Sequence, residues 1–563
     1  MVCGVWHMMS DIIKKRYHEF LLSQPKKNLF TNAFHKYALL ILILVFYLIS
    51  GAILLNYYKY QLNSDGVAYL SIAKNYAALN LDDAINGFWG PLISWLMTPI
   101  IILGVPPILG AKLLLLFIGL CLIVGFWFLV EKFHVKKSIQ VILSLALVPL
   151  TIFFALSQIT PDLPLLCVLV FYFNFIFDLD YSKKISNGIF CGSLGALSYL
   201  CKPYALYFFI IHFILFNILQ YMRNVPSHDK KNIIKNMSVG ILVFLVLSGM
   251  WIAVISNRYD AITLSNSGIF NFELMGPDNT YVASHGVFSQ GLVNPPGNHA
   301  NSIRDDLSYY KLAGWNPLGS TSNFIYLLKI VYNNIIVLFD TIETFSIFSI
   351  FIIIIYTCSL FALYRKKILE NNYLYPVVTI IIYTIGFIPF HLENRYLWVD
   401  CLLLLLIYGV LVDVIFKYGI FKFILSKFNL NKNIVMKFVI IVLSLTFIIS
   451  PINEVSYQIT TGYRTDKMIL DTSEVLSSYG VSGNLASNGH NSYYMSFYLN
   501  SRYFGTSAGN NNSTKLNKDL HDYGINYYLF WNNSSDNNVD FSKISYKKVI
   551  KDNRSPNLTV YLL

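Results

Sequence analysis

Eleven apolar segments, most of them close to the roughly 20 residues a helix needs to cross a hydrocarbon core, run through this chain of 563 residues. They fall near 37–55, 108–130, 138–156, 161–178, 187–200, 204–221, 238–256, 344–364, 373–390, 397–416 and 437–453. Inside hydrocarbon each backbone N–H and C=O must be satisfied within its own segment, so the expected fold is a polytopic α-helical membrane protein of about 11 spans. Composition agrees: 55% of residues are hydrophobic and 13% charged, where globular domains carry about 25% charged residues. Several soluble domains are therefore excluded. The formal charge of +12 would raise nucleic-acid binding in a soluble chain. Here the lysines and arginines gather between apolar segments, so the bilayer is the expected partner and nucleic acid is not. The seven cysteines lack metal-ligand spacing and mostly sit in apolar segments, which argues against a disulfide framework.

Lys and Arg collect on the cytoplasmic side of a membrane protein. With the N-terminus inside, 23 of them fall in inner segments and only Lys59, Lys74, Lys202 and Arg395, 4 in all, in short outer loops. This predicts a multi-pass plasma-membrane protein with residues 1–36 cytoplasmic. The apolar run 90–104 contains Pro91, Pro99 and Gly104 and is expected to lie at the interface; a crossing there would invert every later orientation. The membrane domain is then 37–454, with outer loops at 56–107 and 257–325. Residues 455–563 form a small extracytoplasmic domain of α/β layout. Short apolar stretches at Asn484 to Ser487, Ile525 to Trp531 and Leu558 to Leu563 alternate there with helical patterns near Tyr493 to Leu499 and Leu516 to Tyr523.

Ionisable residues at the rim of a membrane bundle are costly and mark functional candidates. Four groups fall on one predicted face. Asp65, Tyr69 and Ala73 share a helical face just after the first span, with Lys74 beside them; Asp65 is also suited to an N-cap. Asp162 follows Thr160 and Pro161 in a short outer loop, where it either caps the next helix or points toward Asp65. Lys202, before Pro203 at a span end, either snorkels or enters the site. His391, Glu393, Arg395 and Tyr396 form a polar cluster between two strongly apolar spans, in which Glu393 and Arg395 either pair to fix the loop or meet substrate.

These residues together resemble the GT-C superfamily of membrane glycosyltransferases, particularly the protein O-mannosyltransferase and lipid A aminoarabinose transferase branches. After their first span these enzymes carry a run like Asp-Glu-Pro-Arg-Tyr-x-x-Ile-Ala-Arg, and Asp65, Tyr69, Ile72 and Ala73 match it in register, with Lys74 as the basic equivalent. Asp162 looks like the family's second carboxylate. Lys202 with Pro203 looks like its Lys at an outer span end, and Glu393, Arg395 and Tyr396 resemble its Glu-x-Arg-Tyr. The resemblance extends through 84–95 and the tail, nearly the whole chain, although each motif is short. Three positions depart from the pattern. Gly66 and Ala68 replace a Glu and an Arg, and Trp89 stands where the aminoarabinose transferases have a phosphate-facing lysine, leaving Lys202, Lys74 or Lys112 to substitute.

The resemblance implies transfer of a sugar from a polyprenyl-phosphate donor to a glycan, lipid or protein acceptor at the outer face. Attack by an acceptor hydroxyl needs a base, with Asp65 the candidate, and a departing phosphate needs positive charge, which Lys202 and Arg395 supply. A single displacement predicts inversion. Asp162 either orients a sugar or contributes to a site for a divalent cation, Mg²⁺ or Mn²⁺; two isolated carboxylates do not establish one. The rival class is a transporter or flippase of lipid-linked sugars, whose polar groups would gather near the bilayer midplane.

Overall fold

The computed structural model describes residues 26–364, 371–417, 431–507, 513–532, 544–552, 554 and 556–563. The basic cluster at Lys14 to Arg16, most of the expected 1–36 segment and the inner loop Arg365 to Lys367 lie outside the described residues.

Each expected apolar segment contains a helix. Among the described residues, seven helices are long and apolar enough to cross a membrane, or up to eight if the bent pair Lys432–Leu445 and Ile449–Ser478 is one span. Four expected spans are shorter helices, Asp162–Ile176, Ser186–Cys201, Ser349–Tyr364 and Tyr375–Ile385, of 11 to 16 residues. Polar residues stand at one end of two of them: Asp162 opens one helix, and Lys202 follows another. The run at 90–104 forms the 11-residue helix Leu92–Ile102 with Pro99 inside it, too short to span and packed on the first-loop helix Ser64–Ala77.

Thr321–Phe345 is a 25-residue apolar helix where the sequence suggests a loop leading into a span. Lys329, Asn333, Asn334, Asp340 and Glu343 interrupt its apolar run, so hydropathy alone under-reads it. Asn334 is buried and donates from Nδ2 to the carbonyls of Ile388 and Phe390 at 2.8 and 2.7 Å, which fixes the chain just before His391.

The tail is an α/β unit. Strands β1 (Asn484–Ser487), β2 (Arg502–Thr506), β3 (Tyr527–Trp531), β4 (Lys548–Lys551) and β5 (Leu558–Leu562) form one sheet in the order β2-β1-β3-β5-β4. The first three are parallel, and β5 pairs antiparallel with both β3 and β4. Strands β1, β3 and β5 and both helical patterns occur where the alternation predicts them; β2 and β4 are additional. The unit is not set apart from the rest. Tyr493 and Tyr498 donate to the carbonyls of Ser64 and Tyr60 at 3.1 and 3.2 Å. The second outer loop lies along the β2 edge, through Tyr503 N–H to Asn301 O at 2.6 Å and Val293 N–H to Phe504 O at 2.7 Å. Both loops and the tail thus pack on one side of the bundle.

Candidate active site

The helix Ser64–Ala77 begins after Asn63, whose Oδ1 accepts the Ile159 N–H at 2.8 Å. That bond ties the start of the first loop to the segment leading into Asp162. Gly66 makes the approach sterically feasible: a Cβ there would lie 2.7 Å from Asn63 Oδ1 and 3.0 Å from Ile159 Cβ. A larger side chain at this position has no room. Gly90 does the same at a second contact, since a Cβ would meet the Cys201 carbonyl at 2.1 Å, seating the first loop beside Lys202.

The result is one chamber of about 1370 Å³ lined by Asp65, Tyr69, Asp162, Lys202, His391, Glu393, Arg395 and Tyr396. Neither carboxylate caps its helix. Asp65 Oδ2 meets Arg395 Nη2 at 2.6 Å and Asp65 Oδ1 meets Arg304 Nη2 at 3.0 Å. Asp162 Oδ1 pairs with Lys202 Nζ at 2.8 Å, and its Oδ2 lies 3.8 Å from Arg395 Nε. Lys202 therefore turns inward instead of snorkelling, with its ammonium 3.3 Å from the Tyr396 ring centroid. Arg395 Nε also donates to Glu393 Oε2 at 2.7 Å, and Glu393 Oε1 is met by the Tyr396 hydroxyl at 3.2 Å and His391 Nε2 at 3.4 Å. Glu393 and Arg395 pair with each other, and both line the chamber.

Burial opposes ionisation of Asp65, but Arg395 and then Arg304 outweigh it and hold the carboxyl below its ordinary range. Burial lowers the pKa of the Lys202 ammonium, against the opposing pull of Asp162. Arg395 is matched by three carboxylates, Asp65, Asp162 and Glu393. A low-dielectric cluster of three acids against three bases is stable only while every charge keeps a partner.

Arg304 was not legible in the sequence as a site residue. It sits in an Asn-, Gly- and Pro-rich loop without periodicity, where nothing distinguishes it from Arg258 and Lys311 in the same segment. Trp89 Nε1 donates to its carbonyl at 2.8 Å and the Tyr69 and Trp89 rings lie 5.0 Å apart. Trp89 thus braces the backbone of the loop that carries Arg304. The neighbouring Asp305 is buried, accepting from Ser71 Oγ at 2.5 Å and the Asn301 N–H at 2.8 Å. Burial raises its pKa to about 7.

Two expected residues lie elsewhere. Lys74 donates to Asn500 Oδ1 at 2.9 Å and rests 3.9 Å from the Phe497 ring centroid, joining the first loop to the tail. Nine residues from Asp65 at about 100° per residue, it faces the opposite side of the helix. Lys112 is fully buried, donating to Gln61 Oε1 at 3.1 Å and Leu156 O at 2.5 Å. Neither lines the chamber.

Among the described residues no group of three or more His, Cys, Asp or Glu side chains is placed to hold a metal ion. Asp65 and Asp162, the carboxylates expected to contribute, are each engaged by arginine or lysine. This donor set does not fit a divalent cation.

No protein-family model and no curated protein matches the chain in sequence. In structure it is similar to ArnT from Cupriavidus metallidurans bound to undecaprenyl phosphate, with TM-score 0.53 and 12% identity over 93% of this chain and 98% of that one. It is also similar to the Archaeoglobus fulgidus oligosaccharyltransferase in complex with zinc and sulfate, with TM-score 0.50 and 12% identity over 87% of this chain and 68% of that one. The chain is a membrane-embedded protein with the GT-C glycosyltransferase fold, carrying a small α/β unit at its C-terminal end.

Proposed function

We propose that the protein transfers a sugar from a polyprenyl-phosphate donor to an acceptor hydroxyl at the extracytoplasmic face of the plasma membrane, with inversion. The observation that carries this reading is the Arg395 bridge between Asp65 and Asp162 in a chamber with a partly apolar wall. Tyr207, on the apolar helix Tyr204–Met222, and Ile262 and Leu264, in the second loop, line that wall and are exposed. A lipid-linked donor entering sideways from the bilayer would keep its tail on these side chains and bring its phosphate to the cations. The excess of Lys and Arg in the inner segments supports the outer face.

In the reaction the acceptor oxygen forms a bond to the anomeric carbon as the bond from that carbon to the phosphate oxygen breaks. The hydroxyl proton passes to Asp65, and polyprenyl phosphate leaves as an anion stabilised by Arg395, Arg304 and Lys202. A carboxylate held by two guanidiniums is a weak base, so the donor has a second task. Its phosphate competes for Arg395 and Arg304, and as they turn to it Asp65 loses counter-charge and gains proton affinity. Arg304 Nε supports this exchange: it is buried and has no hydrogen-bond partner among the described residues, leaving a donor for a phosphate oxygen. Asp162 holds Lys202 and Arg395 in place.

The test is to incubate the purified full chain with a panel of polyprenyl-phosphate sugars and measure released polyprenyl phosphate. Release from at least one donor, faster with acceptor present, is expected; a transporter would release none.

A further inference from the structure

We infer that a second, smaller cavity beside the chamber is a carbohydrate subsite, so that the acceptor is a glycan; this rests on the glycosyl-transfer reading above. The cavity measures about 450 Å³, within the range of small-ligand sites. Tyr259, Asn266, Ile269, Phe270 and Glu273 line both spaces, so the two share a wall. One loop serves both. It carries Arg304 into the chamber beside Asp65, and four residues later Ser308, Tyr309 and Tyr310 line the smaller cavity. The Tyr259 hydroxyl donates to Asp306 in that same loop and accepts the Gly87 N–H at 2.9 Å, which fixes the partition.

The lining selects the occupant. Tyr259, Tyr309 and Tyr310 offer ring faces, and Tyr309 is 47% exposed. Arg258, Asp260 and Glu273 add a guanidinium and two carboxylates. Among the described residues, no hydrogen bond or ion pair engages the side chains of Arg258, Asp260, Glu273 or Tyr309. A lipid tail would leave these charges desolvated and unpaired. A polyanion would face two carboxylates against one guanidinium. A sugar satisfies both kinds of surface, laying the C–H face of its ring on tyrosine while adjacent hydroxyls bond carboxylate and guanidinium groups in pairs. With a saccharide held there, the hydroxyl at its chamber end is the one presented toward Asp65.

The test uses the full chain in nanodiscs and fluorescent trisaccharides of gluco, manno, galacto and arabino configuration, each free and carried on a lipid, with labelled serine- and threonine-containing peptides as the competing class. At least one trisaccharide is expected to bind saturably, whether free or lipid-carried, and affinity is expected to fall tenfold or more in both Tyr309→Ala and Arg258→Met. Tyr309 is at the surface, so its truncation should leave the melting temperature unchanged and isolate the binding effect. Binding of peptides alone, of none of the sugars, or of sugars with unchanged affinity in both variants overturns the subsite. Measuring polyprenyl phosphate released by the wild-type chain without acceptor separates the two ideas. Release without sugar binding removes the subsite alone, whereas sugar binding lost in Tyr309→Ala without release from any donor removes the transferase reading and leaves a carbohydrate site.

Discussion

The guanidinium of Arg395 meets the carboxylate of Asp65 at 2.6 Å, joining the late loop between two membrane helices to the first loop after the N-terminal span. The charged residues around that contact balance it. Asp162 and Glu393 both face Nε of Arg395, and Arg304 meets the second oxygen of Asp65.

Gly66 keeps the two carboxylate-bearing segments in contact. Gly66→Ala puts a methyl 2.7 Å from Asn63 Oδ1 and 3.0 Å from Ile159 Cβ, and both neighbours are held by the bond between them. We expect a loss of about 1–3 kcal/mol from overpacking and a fall in turnover, because Asp162 moves away from Arg395. Thermal melting and donor turnover of the variant check this; wild-type values for both would show that the contact is slack.

Lys202 is paired with a nearly buried Asp162, their side chains 16% and 4% exposed. Lys202→Met leaves that carboxylate with Arg395 at 3.8 Å as its remaining partner and should destabilise the chain by up to about 3 kcal/mol. Adding Asp162→Asn should restore much of the stability and none of the turnover. Lys202→Arg should recover only part of the activity, since its planar fork is longer than the ammonium it replaces. Full activity in Lys202→Met would remove this residue from phosphate binding.

The common rim of Asp65, Asp162, Lys202 and Arg395 was legible because each sits at the end of an apolar segment, and alternating topology sends those ends to one face. The sheet in the tail was legible where strands alternate cleanly. Arg304 was hidden because loop backbone carries no period: only the fold brings it to Asp65. Lys74 shows the converse error, a motif match that helical geometry already contradicts. The helix Thr321–Phe345 was missed because one polar residue in each turn or two lowers hydropathy without breaking the helix.

Asp305 gives the account a pH signature. Its carboxyl, raised to about 7 by burial, is protonated in the folded chain at pH values where an unfolded aspartate, with pKa about 3.9, has already ionised. Folding takes up a proton in that window, so this group's contribution is complete below about 4 and is lost as pH rises toward 7. Asp305→Asn retains a carbonyl oxygen to accept from Ser71 and the Asn301 N–H but does not titrate. Melting temperatures measured from pH 5 to 9 should therefore show the variant gaining on the wild type as pH rises. Parallel curves would mean that Asp305 is ionised throughout.

The central claim is that Asp65 takes the acceptor's proton. The direct measurement is steady-state turnover of Asp65→Asn against wild type, on a donor the wild type uses, with donor affinity measured in parallel. The amide is nearly isosteric and cannot accept the proton, so turnover should fall by about 10² or more while the donor still binds; the melting temperature should drop, because Arg395 and Arg304 lose a counter-charge, with the protein still folded at the assay temperature. More than about a tenth of wild-type turnover in that variant would contradict the claim.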